Sequence, residues 1–271
     1  FPLHTWVPVF SEDASVESAA FLPASLDKLL GIYLLARMML SWFSVELVVH
    51  MIIISLGAIT VITAVMMAMI QHNGRRLLGY HAVSQVGYMI MGVGSGSLLA
   101  IAGGLFHMVN HTIYKSNLFL SLGSVEKRTG TSNLDELGGL ARMMPATFLM
   151  ALIGALSISG IPPFNGFFSK WMIYQGLVEQ AAAVSDGYQL WLLACLVLAV
   201  FGSALTLASF IKFLHAVYLG KQLEKWSHIR EAPFNQWLGA GALALLCVGF
   251  GLFALELPLR QFIYPIFPEM G

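Results

Sequence analysis

Long apolar runs separated by short polar stretches dominate the hydropathy pattern of this 271-residue chain. A helix of about 20 apolar residues is long enough to cross a lipid bilayer. The pattern therefore predicts an all-α integral membrane protein with about seven membrane-spanning helices. These helices are predicted over about residues 17–41, 45–70, 77–95, 97–122, 145–180, 189–219 and 235–256.

The fifth run is too long for one simple helix, and a Gly-Ile-Pro-Pro-Phe-Asn-Gly segment interrupts it between Gly160 and Gly166. Pro162 and Pro163 each lack a backbone N–H, and the two glycines loosen the backbone around them. A broken helix at membrane depth is tolerated only where it is buried in protein or lines a wet cavity. Lys170 follows this break within two turns and is therefore a candidate for ion translocation. The simpler alternative is a proline kink with Lys170 close to the membrane surface.

The composition agrees with a membrane protein and excludes several other classes. Hydrophobic residues make up 58% of the chain and charged residues 10%, whereas soluble domains carry about 25% charged residues. The net charge is zero, so no basic surface favours nucleic acid. Cys195 and Cys247 each lie inside an apolar run, and this placement supports neither a disulfide framework nor a zinc cluster.

Lysine and arginine are unevenly divided between the connections of the predicted helices. One side collects Arg75, Arg76, Lys127, Arg128, Arg142, Lys221, Lys225 and Arg230. The other side receives Arg260 and Arg37. Because cytoplasmic loops are enriched in lysine and arginine, the first side is predicted to be cytoplasmic, together with the loop at residues 1–16.

Three titratable residues interrupt the fourth predicted helix at regular spacing. His107, His111 and Lys115 recur every four residues, which places them on one helical face. Histidine titrates nearest to neutral pH, and a desolvated lysine can be brought toward that range, so the three could pass a proton along. One alternative is a polar seam that only packs against another helix. Another is haem or metal ligation by the two histidines, which requires further ligands from other helices.

Other titratable residues lie inside or near predicted helices. Lys28 lies near the centre of the first helix, and a charge at that depth indicates function unless the side chain snorkels. The adjacent Asp27 points about 100° away around the helix, which favours a partner on another helix. Lys212 and His215, toward the cytoplasmic end of the sixth helix, are secondary candidates. His50 and His81 are expected to make local hydrogen bonds.

Four segments together resemble one known family: FPLHTW at 1–6, RRLLGYHAVSQVGYM at 75–89, FHMVNHTIYKSNLFLSLGSV at 106–125 and GIPPFNGFFSKWMI at 160–173. The chain is identified as similar to the antiporter-like, proton-conducting subunits of respiratory complex I, Mrp antiporters and membrane-bound hydrogenases. It departs from them at VPVFSEDASVESAAF, after the first motif, and in placing Asp27 beside Lys28.

The resemblance implies a fold of about fourteen helices in two inverted five-helix repeats, each with one broken helix. The chain would then be a fragment of a longer protein that supplies helices eight to fourteen. Within one transmembrane domain, residues 1–70 would end the first repeat and begin the second, residues 71–219 would complete it, and residues 220–271 would form the last helix and tail. Lys28, Lys115 and Lys170 would occupy the positions of the family's central and gating residues, with His107 and His111 between them.

The resemblance also implies a function, namely proton or cation/proton translocation in a redox-driven complex of the complex I or hydrogenase type. An Mrp-type antiporter subunit is the alternative, and a haem-bearing electron carrier is a third class. No cofactor is expected in this chain, while iron–sulfur, flavin or nickel–iron centres are expected in partner subunits. The expected location is the plasma membrane of a prokaryote, among other membrane subunits.

Overall fold

The computed structural model describes residues 3–267, and almost all of this part of the chain is helical. We number the principal helices α1 to α10 in chain order. They are α1 Trp6–Asp13, α2 Val16–Trp42, α3 Leu47–Met69, α4 Gly74–Gly94, α5 Leu98–Thr129, α6 Pro145–Ser159, α7 Asn165–Ala183, α8 Asp186–Leu214, α9 Phe234–Leu252 and α10 Leu255–Ile263.

Several helices contain wide, π-type turns. Such turns lie at Leu22–Leu26 and Met38–Trp42 within α2, His215–Leu219 extends α8 in the same form, and α10 is wide throughout. Turns of this kind are frequent at functional sites, because they rearrange the backbone hydrogen bonds of a helix. The turn at Leu22–Leu26 immediately precedes Asp27 and Lys28.

Within residues 3–267, four helices are long and apolar enough to cross a membrane, and they cover Val16–Trp42, Leu47–Met69, Gly187–Leu219 and Phe234–Leu252. Helices α4 and α5 are also long, but their sequences are more polar than those of the four helices above. Many of their polar side chains are buried inside the protein. Helix α6 is apolar but has only 15 residues. Polar residues that face the protein interior thus lower the hydropathy of the central helices.

Helix α5 lies at the centre of the bundle and contacts α2, α4, α6, α7 and α9. Ser97 accepts a hydrogen bond from Ala100 N at its start, and Gly130 ends it with a φ of 74°, a conformation that glycine adopts without strain. Most residues of α5 are buried. The polar residues in the central part of this helix, such as His107, His111 and Lys115, are therefore surrounded by protein.

The loops that carry most of the basic residues meet at one end of the bundle, which we call the basic end. Arg76 pairs with Glu12 at 3.4 Å, Arg128 donates to the carbonyl of Glu231 at 2.8 Å, and Trp226 donates to the carbonyl of Glu136 at 2.8 Å. The N-terminal segment reaches this end at Glu12 and Ala14, which agrees with the side predicted for residues 1–16. One expectation was wrong: residues 1–16 are not only loop, since they contain α1 and the Ser15 cap of α2.

Candidate functional site

The predicted face of α5 is entirely buried. His107, His111 and Lys115 have no exposed surface. His107 Nδ1 lies 2.9 Å from Ser169 Oγ, and its Nε2 lies 3.2 Å from Gln85 Oε1. Groups on α4 and α7 therefore orient this ring from both sides. Because both ring nitrogens already have protein partners, His107 is poorly placed to bind a haem iron or a metal.

His111 and Lys115 are held differently. No ring nitrogen of His111 makes a hydrogen bond of regular geometry, although the backbone of Ala24 lies beside the ring. Lys115 Nζ also lacks a hydrogen-bond partner and lies 5.8 Å from the ring centres of both Phe119 and Phe210. A buried ammonium without a counter-ion is costly, since ring faces replace little of its hydration. This side chain is consequently a site where gaining or losing a proton has large electrostatic consequences.

Lys28 forms an ion pair with its own neighbour in the chain. Its Nζ lies 2.7 Å from Asp27 Oδ2, and the lysine side chain is buried. The expectation that Asp27 pairs with another helix was therefore wrong, because the long lysine side chain folds back across the helix to the carboxylate. Lys28 also acts electrostatically on His111 and Lys115.

A cavity of about 370 Å³ adjoins this ion pair. It is lined by Asp27 and Lys28 from α2, by Thr60 from α3 and by residues of α4 and the N-terminal segment. Asp27 Oδ1 has no hydrogen-bond partner. The ion pair thus borders a space through which ions or water could approach the buried lysine.

Lys170 binds the end of the broken helix. Its Nζ donates to the carbonyl of Ile158 at 2.9 Å and to Ser203 Oγ at 3.0 Å, and lies 4.7 Å from the ring centre of Tyr88. The last carbonyls of a helix lack partners within it and carry the negative end of its dipole. Lys170 therefore compensates the carbonyl end of α6, which is buried and lacks a partner within the helix.

The helix break itself spans residues 160–164. Gly160 has a φ of 78°, and Pro162 and Pro163 are exposed. The predicted break extended to Gly166, but α7 already begins at Asn165. A helix can restart directly after the prolines because the N–H groups of its first turn need no partner within the helix. Gly166 thus lies inside α7, where a Cβ atom would collide with the backbone carbonyl of Ser157.

An asparagine pair fastens the start of α7 to α5. Asn110 Nδ2 donates to the carbonyl of Asn165 at 3.0 Å, and Asn165 Nδ2 donates to Asn110 Oδ1 at 3.1 Å. Both residues are fully buried. This pair fixes the break against the helix that carries His107 and His111.

Lys28, His111, Lys115, His107 and Lys170 form what we call the polar row. Electrostatic interactions connect Lys28 with His111 and Lys115, His111 with His107, and His107 with Lys170. The structure therefore brings all five principal sequence candidates into one buried arrangement.

The secondary candidates on α8 lie outside the polar row. Lys212 is exposed and donates to the carbonyls of Met69 and Gln71 at 2.8 and 3.0 Å, and His215 is exposed. His50 makes a hydrogen bond at 2.7 Å to the Gly94 carbonyl at the end of α4, so its partner lies on another helix and is not local in the sequence.

Several residues that contact the polar row were not predicted from the sequence. They are Gln85, Tyr88, Tyr114, Ser169 and Ser203. Each is a common residue type without its own spacing signal, so only packing identifies it. Among the residues at 3–267, no group of three or more His, Cys, Asp or Glu side chains could hold a metal ion.

The sequence is similar to that of one known protein family and to subunits of known proteins. Residues 1–206 match the protein family described as "NADH:quinone oxidoreductase/Mrp antiporter, TM". Formate hydrogenlyase subunit 3 of Escherichia coli K12 is 33% identical over 273 residues, covering 93% of this chain and 43% of that protein. One of the Na(+)/H(+) antiporter subunits of Alkalihalophilus pseudofirmus is 37% identical over 225 residues, covering 82% of this chain and 43% of that protein.

A solved structure of similar fold is that of the membrane-bound sulfane sulfur reductase, an archaeal respiratory membrane complex. It matches with a TM-score of 0.82 and 32% identity, covering 93% of this chain and 42% of the matched one. The chain thus spans less than half the length of these relatives.

Proposed function

We propose that this chain, which belongs to the NADH:quinone oxidoreductase/Mrp antiporter family of transmembrane proteins, forms part of a proton-translocating membrane subunit of a redox-driven complex. Seven of its helical segments, namely α2 to α5, the broken pair α6 and α7, α8 and α9, would supply half of a fourteen-helix inverted-repeat fold. The complex would lie in the plasma membrane of a prokaryote.

The polar row is the observation that carries this proposal. Its five members are titratable, are almost fully buried and interact electrostatically with their neighbours. Charged residues at membrane depth are costly and mark ion pathways and proton relays. We infer that protons move laterally along this row, with Lys28 at one end and Lys170 at the other.

Translocation against the membrane potential needs an energy source outside the polar row. Moving one proton against 100 mV requires about 2.3 kcal/mol. We propose that redox partner subunits holding iron–sulfur, flavin or nickel–iron centres supply this energy. The similarity to a formate hydrogenlyase subunit over 93% of the chain supports a complex of this kind.

An Mrp-type cation/proton antiporter subunit is the second candidate, supported by 37% identity to an Na(+)/H(+) antiporter protein. The two candidates differ in their neighbours. Affinity purification of the complex from its native membrane, followed by mass spectrometry, distinguishes them. Redox subunits support the first candidate, and exclusively small membrane subunits support the second.

The replacement Lys115→Ala tests the proposal, and we expect it to abolish proton translocation without loss of assembly. Lys115→Arg should also fail, because an arginine stays protonated and cannot release its proton. Proton uptake by inverted membrane vesicles is measured alongside the abundance of the assembled complex on a native gel. Lys225→Ala, at an exposed lysine of the basic end, is the control. Normal proton uptake by a well-assembled Lys115→Ala complex would contradict the proposed function.

A further inference from the structure

His81 is a buried titratable residue that the polar row does not include. It lies on α4 without exposed surface, and its ring packs against Phe210 of α8 with 4.6 Å between ring centres. Its Nε2 lies 2.8 Å from Ser209 Oγ, while its Nδ1 has no hydrogen-bond partner. Both Lys115 and Lys170 act electrostatically on this ring. The expected local hydrogen bond is therefore replaced by a contact with another helix, 128 positions along the chain.

Helix α8 presents hydroxyl groups at every third position toward this region. Ser203 contacts Lys170, Thr206 is fully buried, and Ser209 contacts His81. Residues three apart lie on one side of a helix and about 4.5 Å apart along its axis. These hydroxyls therefore form a polar stripe that begins at Lys170 and runs toward the basic end.

The stripe approaches the protein surface beyond Ser209. One turn further along α8, Lys212 binds the carbonyls of Met69 and Gln71, immediately before α4 begins at Gly74. Helices α4 and α8 have few backbone contacts with each other, and side chains such as Tyr88 and His81 fill the space between them. A seam filled by polar side chains can admit water more readily than close backbone packing.

We propose that His81 and the hydroxyls of Ser203, Thr206 and Ser209 form a proton path that connects Lys170 to the basic end. This inference rests on the proposed function and adds the side of the membrane with which Lys170 exchanges protons. A proton leaves Lys170 Nζ, each hydroxyl or bridging water accepts one proton and releases another, and the imidazole of His81 takes up the proton and passes it to water. No other bond changes, and the path works equally in the reverse direction.

A packing role for His81 would not require this arrangement. The hydrogen bond to Ser209 alone would hold the ring, and α8 would need no further hydroxyl between Ser203 and Ser209. The placement of a titratable ring at one end of the stripe and Lys170 at the other is what favours a path. Successive polar groups at this spacing can be joined by single bridging waters.

The first test uses His81→Gln and Ser209→Ala in the assembled complex. Glutamine keeps a hydrogen-bonding group near Ser209 but cannot take up a proton at physiological pH. We expect His81→Gln to lose proton translocation to the background of uncoupled vesicles, and Ser209→Ala to reduce it severalfold. His50→Gln and Ser95→Ala, at the opposite end of the bundle, serve as matched controls.

The second test measures from which side of the membrane the path can be reached, and it does not depend on a variant at His81. In a background without Cys195 and Cys247, Thr206→Cys is exposed to a membrane-impermeant thiol reagent from each side. We expect reaction from the side of the basic end alone. Ala204→Cys, on the outer face of the same helix, should remain inert.

The outcomes separate this inference from the proposed function. Full translocation in an assembled His81→Gln complex would overturn the path, as would a Thr206→Cys that stays inert or reacts only from the opposite side. If Lys115→Ala still abolishes translocation in those cases, the polar row stands and only the exit path is wrong. If His81→Gln fails to assemble, the Thr206→Cys labelling decides.

Discussion

Three buried lysines lie in three different environments. Lys28 has a carboxylate at 2.7 Å, Lys115 has only aromatic ring faces, and Lys170 has a helix-end carbonyl and a hydroxyl. Opposite charge, aromatic faces and backbone dipoles favour an ammonium to different extents. The residues of the polar row are therefore chemically similar but electrostatically distinct, which is suited to moving a proton in steps.

At Lys170 we expect the substitution Lys170→Arg to impair proton translocation severely, although it conserves the positive charge. The guanidinium stays protonated, and its planar fork does not fit a site that places one nitrogen between Ile158 O and Ser203 Oγ. Proton uptake by vesicles is the measurement, with Lys225→Arg as the surface control. Wild-type uptake by Lys170→Arg would show that this lysine contributes only charge and never releases its proton.

At the scale of secondary-structure elements, the broken helix depends on close backbone contacts. Gly251 of α9 lies directly against the backbone of Pro163 and Phe164, so that a Cβ atom at this position would collide with the break. Gly249, two residues earlier on the same helix, has no neighbour within 4 Å of the equivalent position. Helix α9 therefore supports the break from one side, while the Asn110–Asn165 pair fastens it from the other.

The contrast between these two glycines gives a stability prediction. Gly251→Ala should destabilise the protein by about 1–3 kcal/mol, because an extra carbon forces the break away from α9. Gly249→Ala should be neutral or stabilising by about 0.5–1 kcal/mol, since alanine favours the helical state. Thermal unfolding of the purified complex in detergent compares the two variants. Equal melting temperatures would show that the break does not need this contact.

At the scale of the whole molecule, charge and connectivity agree on a single orientation. The basic end gathers the loops at 130–144 and 220–233 with the N-terminal segment, and Arg75 donates to the carbonyl of Ala14 and to Glu126 there. The connection between α2 and α3, around Ser44, lies at the opposite end. Positive residues in short loops favour the cytoplasmic side.

Cysteine labelling in whole cells tests this orientation. In the background without native cysteines, a membrane-impermeant thiol reagent should react with Ser44→Cys in intact cells. Lys225→Cys should react only after the membrane is permeabilised, because the basic end is predicted to face the cytoplasm. Both positions are exposed, so accessibility within the protein does not bias the comparison. The reverse pattern would invert the orientation and, with it, the side assigned to the path through His81.

The sequence by itself determined the features that depend on local periodicity and composition. The apolar runs predicted helices near Val16–Trp42, Leu47–Met69, Gly187–Leu219 and Phe234–Leu252, because the length needed to cross a bilayer is a local property of the chain. Spacing alone placed His107, His111 and Lys115 on one face, since helical geometry fixes that relation. The paired prolines located the break, although its end was misplaced at Gly166.

Tertiary structure alone decided which groups meet. The contacts of His81 with Ser209, of Lys170 with Ser203 and of Asn110 with Asn165 join residues that are 128, 33 and 55 positions apart. The periodicity of one helix does not specify how its neighbours are rotated against it, so these pairs have no signature in the sequence. The ion pair of Asp27 and Lys28 was missed for a different reason, because a flexible lysine side chain reaches beyond the direction that its helix position indicates.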